Sequence, residues 1–410
     1  MTATAPTGHG TTKPERAVRQ LHHDAGDRPM ITIWEVTRAC QLVCKHCRAD
    51  AQHTGHPLQL TTDEGKALLD DIAAFGRPFP IVILTGGDPF ERPDLAELVG
   101  YGHGLGLHMA VSPSVTPKVT PERLAEIHAA GANALSLSLD GASAATHDAW
   151  RGVEGVYERT IAAARAAVAE GLRVQVNSTV TQGNVRELPA ILRTVMDLKA
   201  TMWSVFFLVP TGRGENLLPL VPADNEDVMH WLHDVSTLLA IKTTEAPHFR
   251  RVAIQRARAL QESPEALAAL QAQRGTLYRE LTAATADLLT GQETTRRKPR
   301  PPIDINSGRG FAFIDHLGDV YPSGFLPHHC GNVKEHGFRA IYRGDPLLQS
   351  LRRPNEFHGK CGVCEFNEVC GGSRSHAYAV TGDILASDPT CAYTPPALAL
   401  PHQRPTHTAH

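Results

Sequence analysis

The sequence predicts an α/β protein. Its consecutive β/α units curl into a full or partial parallel barrel, or spread into an open doubly wound sheet, ahead of a cysteine-bearing C-terminal region. Three observations predict this. Apolar runs of strand length alternate with segments of helical apolar spacing over residues 31–215. At 410 residues and 42% hydrophobic content, the chain exceeds one ordinary domain and can bury a sizeable core. Seven of the eight cysteines fall into two distant groups, Cys40, Cys44 and Cys47, then Cys361, Cys364, Cys370 and Cys391, with Cys330 apart.

Residues 1–28, rich in Thr, Gly, His and Pro, read as a mobile leader. A core unit follows over 29–222. Its strands are "ITIWEV" (31–36), "IVILTGG" (81–87), "HMAVSPS" (108–114), "ALSLSLDG" (134–141), "RVQVNSTV" (173–180) and "WSVFFLVP" (203–210). Short apolar runs of this kind suit buried parallel strands. Between them, "TTDEGKALLDDIAAF", "PDLAELVGYGHGL", "PERLAEIHAAG", "YERTIAAARAAVAEG" and "VRELPAILRTVMDL" carry helical spacing. Thr62 or Asp63 suits the cap of the first helix, and Pro121 the first turn of the third. Right-handed crossovers then put chemistry at the carboxyl ends of the strands. The three-cysteine loop follows the first strand, "TGGDP" follows the second, and Asn177, Ser178 and Thr179 close the fifth.

After Pro210 the pattern changes. Residues 223–304 read as a helical connecting region whose Ala- and Arg-rich part has no evident place. The C-terminal unit, 305–393, opens with "GFAFIDHLGDVYPSGF", a β-hairpin turning at Leu317, Gly318 and Asp319. A short helix around 345–353 precedes its cysteines, and the Pro-rich 394–410 reads as a loose tail.

Forty Lys and Arg against 43 Asp and Glu leave a net charge of -3, which gives no reason to expect nucleic acid or an anionic membrane as partner. The basic run at 296–300 sits among prolines and reads as a solvated linker. No apolar stretch approaches the roughly 18 residues of a membrane span, and the N-terminus lacks an apolar signal core. The expected compartment is therefore the reducing cytoplasm, where cysteines bind metal more readily than they form disulfides.

Cys40, Cys44 and Cys47 form CxxxCxxC. A zinc knuckle with a distant fourth ligand is one reading, although zinc sites usually complete their tetrahedron locally. A cubane iron–sulfur cluster is another: each of its four irons wants one external ligand, so three cysteines leave one iron open. With the β/α pattern, the motif resembles the radical S-adenosylmethionine superfamily. The resemblance implies a partial (β/α)6 barrel and a [4Fe–4S] cluster whose open iron binds S-adenosylmethionine. It also implies cleavage of the sulfonium to a 5′-deoxyadenosyl radical, driven by an electron donor such as flavodoxin or ferredoxin.

Later positions extend the resemblance. "LTGGDP" (84–89) is similar to the family's GGE-type segment, with Asp88 in place of the commoner Glu, and implies that Gly86, Gly87, Asp88 and Pro89 meet the methionine amino group. By itself it would be a plain turn. "SLDG" and "HDAWRG" resemble the segment that brings Ser138 to the ribose and Arg151 to the carboxylate; the alternative for Arg151 is a surface ion pair. Asn177, Thr179, Leu208 and Val209 are implied as ribose or adenine contacts, and His46, at the family's aromatic position, as a flank for the adenine.

The C-terminal cysteines are spaced CxxCx5C with a fourth twenty residues on, a set that could also hold structural zinc. They resemble the SPASM or twitch extension, nearest to the branch containing haem and haem-d1 biosynthesis enzymes. Ser373 and Ser323 stand where relatives often carry cysteines. The four remaining suffice for one auxiliary [4Fe–4S] cluster, leaving Cys330 spare or paired with His328 or His329 at another site. The resemblance implies hydrogen abstraction from a tetrapyrrole or similar precursor, as in oxidative decarboxylation. Modification of a ribosomally made peptide, a non-catalytic electron carrier and a zinc-bound regulator are the rival readings.

Overall fold

The computed structural model describes residues 17–398. Six parallel strands appear where the apolar runs placed them: β1 (Ile31–Glu35), β2 (Ile81–Thr85), β3 (His108–Val111), β4 (Ala134–Ser138), β5 (Arg173–Val180) and β6 (Met202–Phe207). They pair in sequence order. Sequential order has no point at which the winding reverses, so the helices fall on one face, as in a barrel rather than a doubly wound sheet. Those helices are α1 (Thr62–Ala73), α2 (Leu95–Gly104), α3 (Pro121–Ala129), α4 (Ala144–Arg151), α5 (Val156–Glu170) and α6 (Leu188–Asp197). Thr61, not Thr62 or Asp63, caps α1: its hydroxyl accepts from Glu64 N–H while the Glu64 carboxylate accepts from Thr61 N–H. The "HDAWRG" segment is a separate helix, α4, whose left-handed terminus at Gly152 leads towards α5.

Alternation along the strands separates two environments. Val82 and Leu84 are buried against the helices while Ile81, Ile83 and Thr85 are partly exposed, and β5 repeats this over eight residues. The helix side holds the main core, including Trp34, Leu69, Ile72, Leu84, Met109 and Trp203. The other face is a partly open trough of mixed character, with Ile83 and Thr85 on β2, Asn177 and Thr179 on β5 and Phe206 on β6.

Four more strands widen the sheet. The connecting region contains α7 (Pro222–Val235), β7 (Ile241–Thr244), α8 (Phe249–Glu262), α9 (Pro264–Ala272) and α10 (Thr276–Leu289). The sequence reading had no strand there, because "IKTT" is too short and too polar to stand out. The hairpin strands β8 (Phe311–Ile314) and β9 (Asp319–Tyr321) appear as expected, followed by β10 (Gly331–Asn332). They do not stand apart from the barrel: β8 runs parallel to β1, giving the order β10-β9-β8-β1-β2-β3-β4-β5-β6-β7. A sheet with two edges is a partial barrel. Beyond it lie α11 (Phe338–Gly344), α12 (Pro346–Ser350), α13 (Gly359–Gly362) and α14 (Arg374–Thr381).

Of the expected leader, residues 1–16 lie outside the described residues, while Arg19 bridges to Ile303 and its N–H donates to Pro302 O at 2.8 Å. Of the expected tail, 399–410 lie outside them, and Pro396–Leu398 form one 3-10 turn. Among the described residues no helix is long and apolar enough to cross a membrane.

Candidate active site

The three-cysteine loop leaves β1 pressed against the end of β2. Gly87 N–H donates to Thr37 O at 2.8 Å and Asp88 N–H to Ala39 O at 2.7 Å, while Cys40 N–H donates to Gln52 O at 2.7 Å on the other side. Side chains at the two glycines would collide with this backbone. A Cβ at Gly86 would lie 2.4 Å from Thr37 O, and one at Gly87 2.3 Å from Ala39 O. Both glycines therefore seat the cysteine loop, whatever else they touch.

Each thiol of the loop has a donor. Leu42 N–H points at Cys40 Sγ (3.4 Å), Ala51 N–H at Cys47 Sγ (3.5 Å) and Arg151 Nη1 at Cys44 Sγ (3.6 Å). Burial, with Asp88 nearby, pushes the Cys40 thiol up to about 12, so without a metal it stays protonated. Sulfurs furnished with such donors suit iron–sulfur ligation.

Arg151, at the end of α4, is buried and paired with the Asp140 carboxylate. Burial works against the charge of both, but each holds the other ionised: Asp140 sits below the usual carboxylate range and Arg151 above its ordinary value. Asp140 was quoted within "SLDG" but given no role in the sequence reading, yet it organises the site. Its Oδ1 accepts from Thr179 N–H at 2.6 Å, and its Oδ2 lies 3.9 Å from His46 Nε2. Burial lowers His46 to about 4, so the ring is neutral; it lies 5.5 Å from the Trp150 ring.

The remaining expected positions lie at strand ends or just beyond. Ser138 ends β4 and pairs with Asn177 on β5, whose Oδ1 accepts from Gln175 Nε2 at 2.7 Å. Leu208 and Val209 are buried after β6. Pro89 opens a buried 3-10 turn, and the Asp88 carboxylate turns inward to cap that turn at Phe90 N–H (3.0 Å) and to take Thr116 N–H (3.1 Å). Past Val209 the chain folds over the cysteine loop, with Arg213 N–H donating to Cys47 O at 3.1 Å. Arg213 Nε and Nη2, Arg151 Nε and His46 Nδ1 are buried without partners. Unpartnered guanidinium nitrogens beside the loop suit an anionic group such as an amino-acid carboxylate.

The second cysteine set forms a separate site. Cys361, Cys364, Cys370 and Cys391 all line one small pocket, with Arg251, Lys360, Phe366 and Tyr393. Asp388 N–H and Arg374 Nη2 donate to Cys361 Sγ at 3.3 and 3.6 Å. Cys330 lies elsewhere, on the hairpin, its Sγ directed at His328 O, while His329 pairs with Asp319. Among the described residues no three His, Cys, Asp or Glu side chains are placed to hold a single metal ion; a cubane instead takes each thiolate on a separate iron.

Two further groups join the sites. Glu245, just past β7 in a left-handed backbone (φ 58°), accepts from Ser323 Oγ at 3.0 Å and Ser373 Oγ at 2.5 Å. Ser323 and Ser373 thus meet on one carboxylate. Next to Ser373, His376 on α14 donates from Nε2 to Leu208 O at 2.8 Å. Asp140 could have been suspected from its place between two assigned residues. Glu245, Arg213 and Arg374 carry no comparable sequence signal.

A barrel with an open three-thiol site at its strand ends is the arrangement of radical S-adenosylmethionine enzymes, and the Radical SAM superfamily model matches residues 34–195. The chain is 37% identical to the AdoMet-dependent heme synthase of Methanosarcina barkeri, over 90% of this chain and 97% of that one. It is 32% identical to the pre-heme d1 synthase of Dinoroseobacter shibae over 92% and 90%. The crystal structure of Streptococcus suis SuiB bound to S-adenosylmethionine shares the fold, with TM-score 0.61 and 17% identity over 90% and 78%. The chain belongs to the radical S-adenosylmethionine superfamily and is an enzyme that uses a [4Fe–4S] cluster and S-adenosylmethionine.

Proposed function

We propose that this enzyme modifies a propionate side chain of a tetrapyrrole by oxidative decarboxylation in the cytoplasm, with a flavodoxin- or ferredoxin-type donor. The observation that carries the reading is the near end-to-end match to an AdoMet-dependent heme synthase, at 37% identity. The trough offers suitable walls: Phe206 and Phe325 meet across it at 6.4 Å, and Arg48, ion-paired with Glu35, lies 4.4 Å over Phe313. Flat aromatic faces suit a macrocycle.

Cys40, Cys44 and Cys47 would hold the open cluster, and Gly86, Gly87, Asp88, Pro89, Ser138, Arg151, Asn177, Thr179, Leu208, Val209 and His46 would surround S-adenosylmethionine. When bound, that pair supplies a 5′-deoxyadenosyl radical. Asp140 keeps Arg151 turned to Cys44, and the glycines keep the loop in register. The loop after β6 covers the site from water. After hydrogen abstraction, the propionate radical loses CO2 and one electron to become a vinyl group. Cys361, Cys364, Cys370 and Cys391 would hold one auxiliary [4Fe–4S] cluster in a SPASM/twitch-like region, which would take that electron.

The test is anaerobic turnover with an iron tetrapyrrole bearing propionates, scored by mass. The expected result is loss of CO2 and two hydrogens per side chain, from protein reconstituted to about eight irons. Tight zinc without iron, or no 5′-deoxyadenosine under strong reductant, overturns the reading. Modification of a candidate precursor peptide but of no tetrapyrrole would favour peptide maturation instead.

A further inference from the structure

Both cysteine sites bring one arginine to one sulfur at 3.6 Å: Arg151 to Cys44 and Arg374 to Cys361. Their surroundings differ. Arg151 is paired with the Asp140 carboxylate. Arg374 is fully buried, and its other donors go to backbone carbonyls of Gly372 (3.4 Å), Ile384 (3.1 Å) and Ala386 (2.7 Å). Arg250 repeats the arrangement beside Cys370. It is buried, its Nη2 donates to Cys370 O at 3.2 Å, its Nη1 reaches Ile303 and Ile305 carbonyls, and its Nε has no partner. Lys360 donates to Cys391 O. Of the cations around the four thiols, Arg251 is neutralised, by Glu226 at 2.5 and 2.8 Å. Three carboxylates oppose these cations, Asp388 near Cys391, Glu365 near Cys364 and Asp383 near Arg374, but none forms an ion pair with Arg374 among the described residues.

An added electron is stabilised by uncompensated positive charge and by hydrogen bonds to the cluster sulfurs, and both raise the reduction potential. We propose that Arg374, a buried guanidinium that donates to the Cys361 sulfur and forms no ion pair among the described residues, sets the auxiliary cluster above the barrel cluster in potential. The electron released when the propionate radical loses CO2 then reduces the auxiliary cluster by one electron instead of returning to the barrel, and a flavodoxin- or ferredoxin-type carrier removes it. Arg374 is a positioning residue here, since it touches neither substrate nor S-adenosylmethionine. The inference rests on the reading that Cys361, Cys364, Cys370 and Cys391 hold one cubane.

The test is an EPR-monitored redox titration of holoenzyme in which Cys40, Cys44 and Cys47 are replaced by alanine. About four irons and a reducible signal must be found first; their absence refutes the cubane reading and not the role of Arg374. Given the signal, Arg374→Gln should make the oxidised-to-reduced ratio at the wild-type midpoint about tenfold larger, a downward shift of about 59 mV. Arg374→Lys, which keeps the charge, should recover most of it. A midpoint unmoved by Arg374→Gln overturns the proposal. If Arg374→Gln loses its iron, the two midpoints of the wild-type enzyme decide, and a barrel cluster at or above the auxiliary one overturns it equally.

Discussion

The two cysteine sites of this chain differ less in their ligands than in what surrounds them. The barrel thiols sit on a loop between strand ends, facing a partly open trough, with two buried carboxylates, Asp88 and Asp140, close by. The C-terminal thiols face one another around a small cavity lined by cations and aromatic rings. On the proposed reading, three thiols would leave an iron free and four would not, so the first site would bind a reactant and the second would hold charge. Helix α14 connects them, through Ser373 to Glu245 and through His376 to Leu208.

The contrast breaks most sharply at the C-terminal set. Replacing Cys361, Cys364 and Cys370 with alanine should abolish decarboxylated product while reductive formation of 5′-deoxyadenosine persists; loss of both together would mean that the sites are not separable. Asp140→Asn is next. It leaves Arg151 buried beside Cys44 without its counter-charge, and breaking a buried pair costs about 3–5 kcal/mol. Affinity for S-adenosylmethionine, measured by equilibrium dialysis, should fall about a hundredfold or more, with the auxiliary signal unchanged. Gly87→Ala should be milder. Its methyl group would meet the Ala39 carbonyl at 2.3 Å, an overpacking worth about 1–3 kcal/mol. It should reduce iron in the barrel set and spare the other.

The smallest expected effect concerns pH. Burial holds His147 and His248 near 4, so both are neutral in the fold but take up protons below about pH 6.5 once unfolded. Their contribution to stability is present above pH 6.5 and is lost as the pH falls towards 4. Anaerobic unfolding from neutral pH to about pH 5 should show a slope of up to about 1.4 kcal/mol per pH unit for each histidine, and replacing both with glutamine should reduce it, leaving the share of His46 and His233.

The order of the six strands was left between a barrel and a doubly wound sheet until the resemblance implied the barrel. The strands themselves, and the rule that chemistry gathers at their carboxyl ends, were legible because buried parallel strands leave apolar runs. β7 was not, since its four residues include only Ile241 as a buried apolar anchor. Nor was the joining of β8 to β1, a contact between residues some 280 positions apart that no local pattern records. The two cysteine groups were visible as spacing, but spacing alone left zinc open, and the resemblance supplied the cluster reading. Asp140 lay unassigned inside a quoted motif. Glu245, Arg213 and Arg374 could not be found, because a charged residue in a loop or at a helix start looks the same whether it faces water or a sulfur.

The division into an open and a closed site is tested most directly by EPR of the reduced holoenzyme with and without S-adenosylmethionine, in two complementary variants. With Cys361, Cys364, Cys370 and Cys391 replaced by alanine, the remaining signal should change when S-adenosylmethionine is added. With Cys40, Cys44 and Cys47 replaced, the remaining signal should be indifferent to it. A C-terminal signal that responds to S-adenosylmethionine, or a barrel signal that ignores it, would contradict that division.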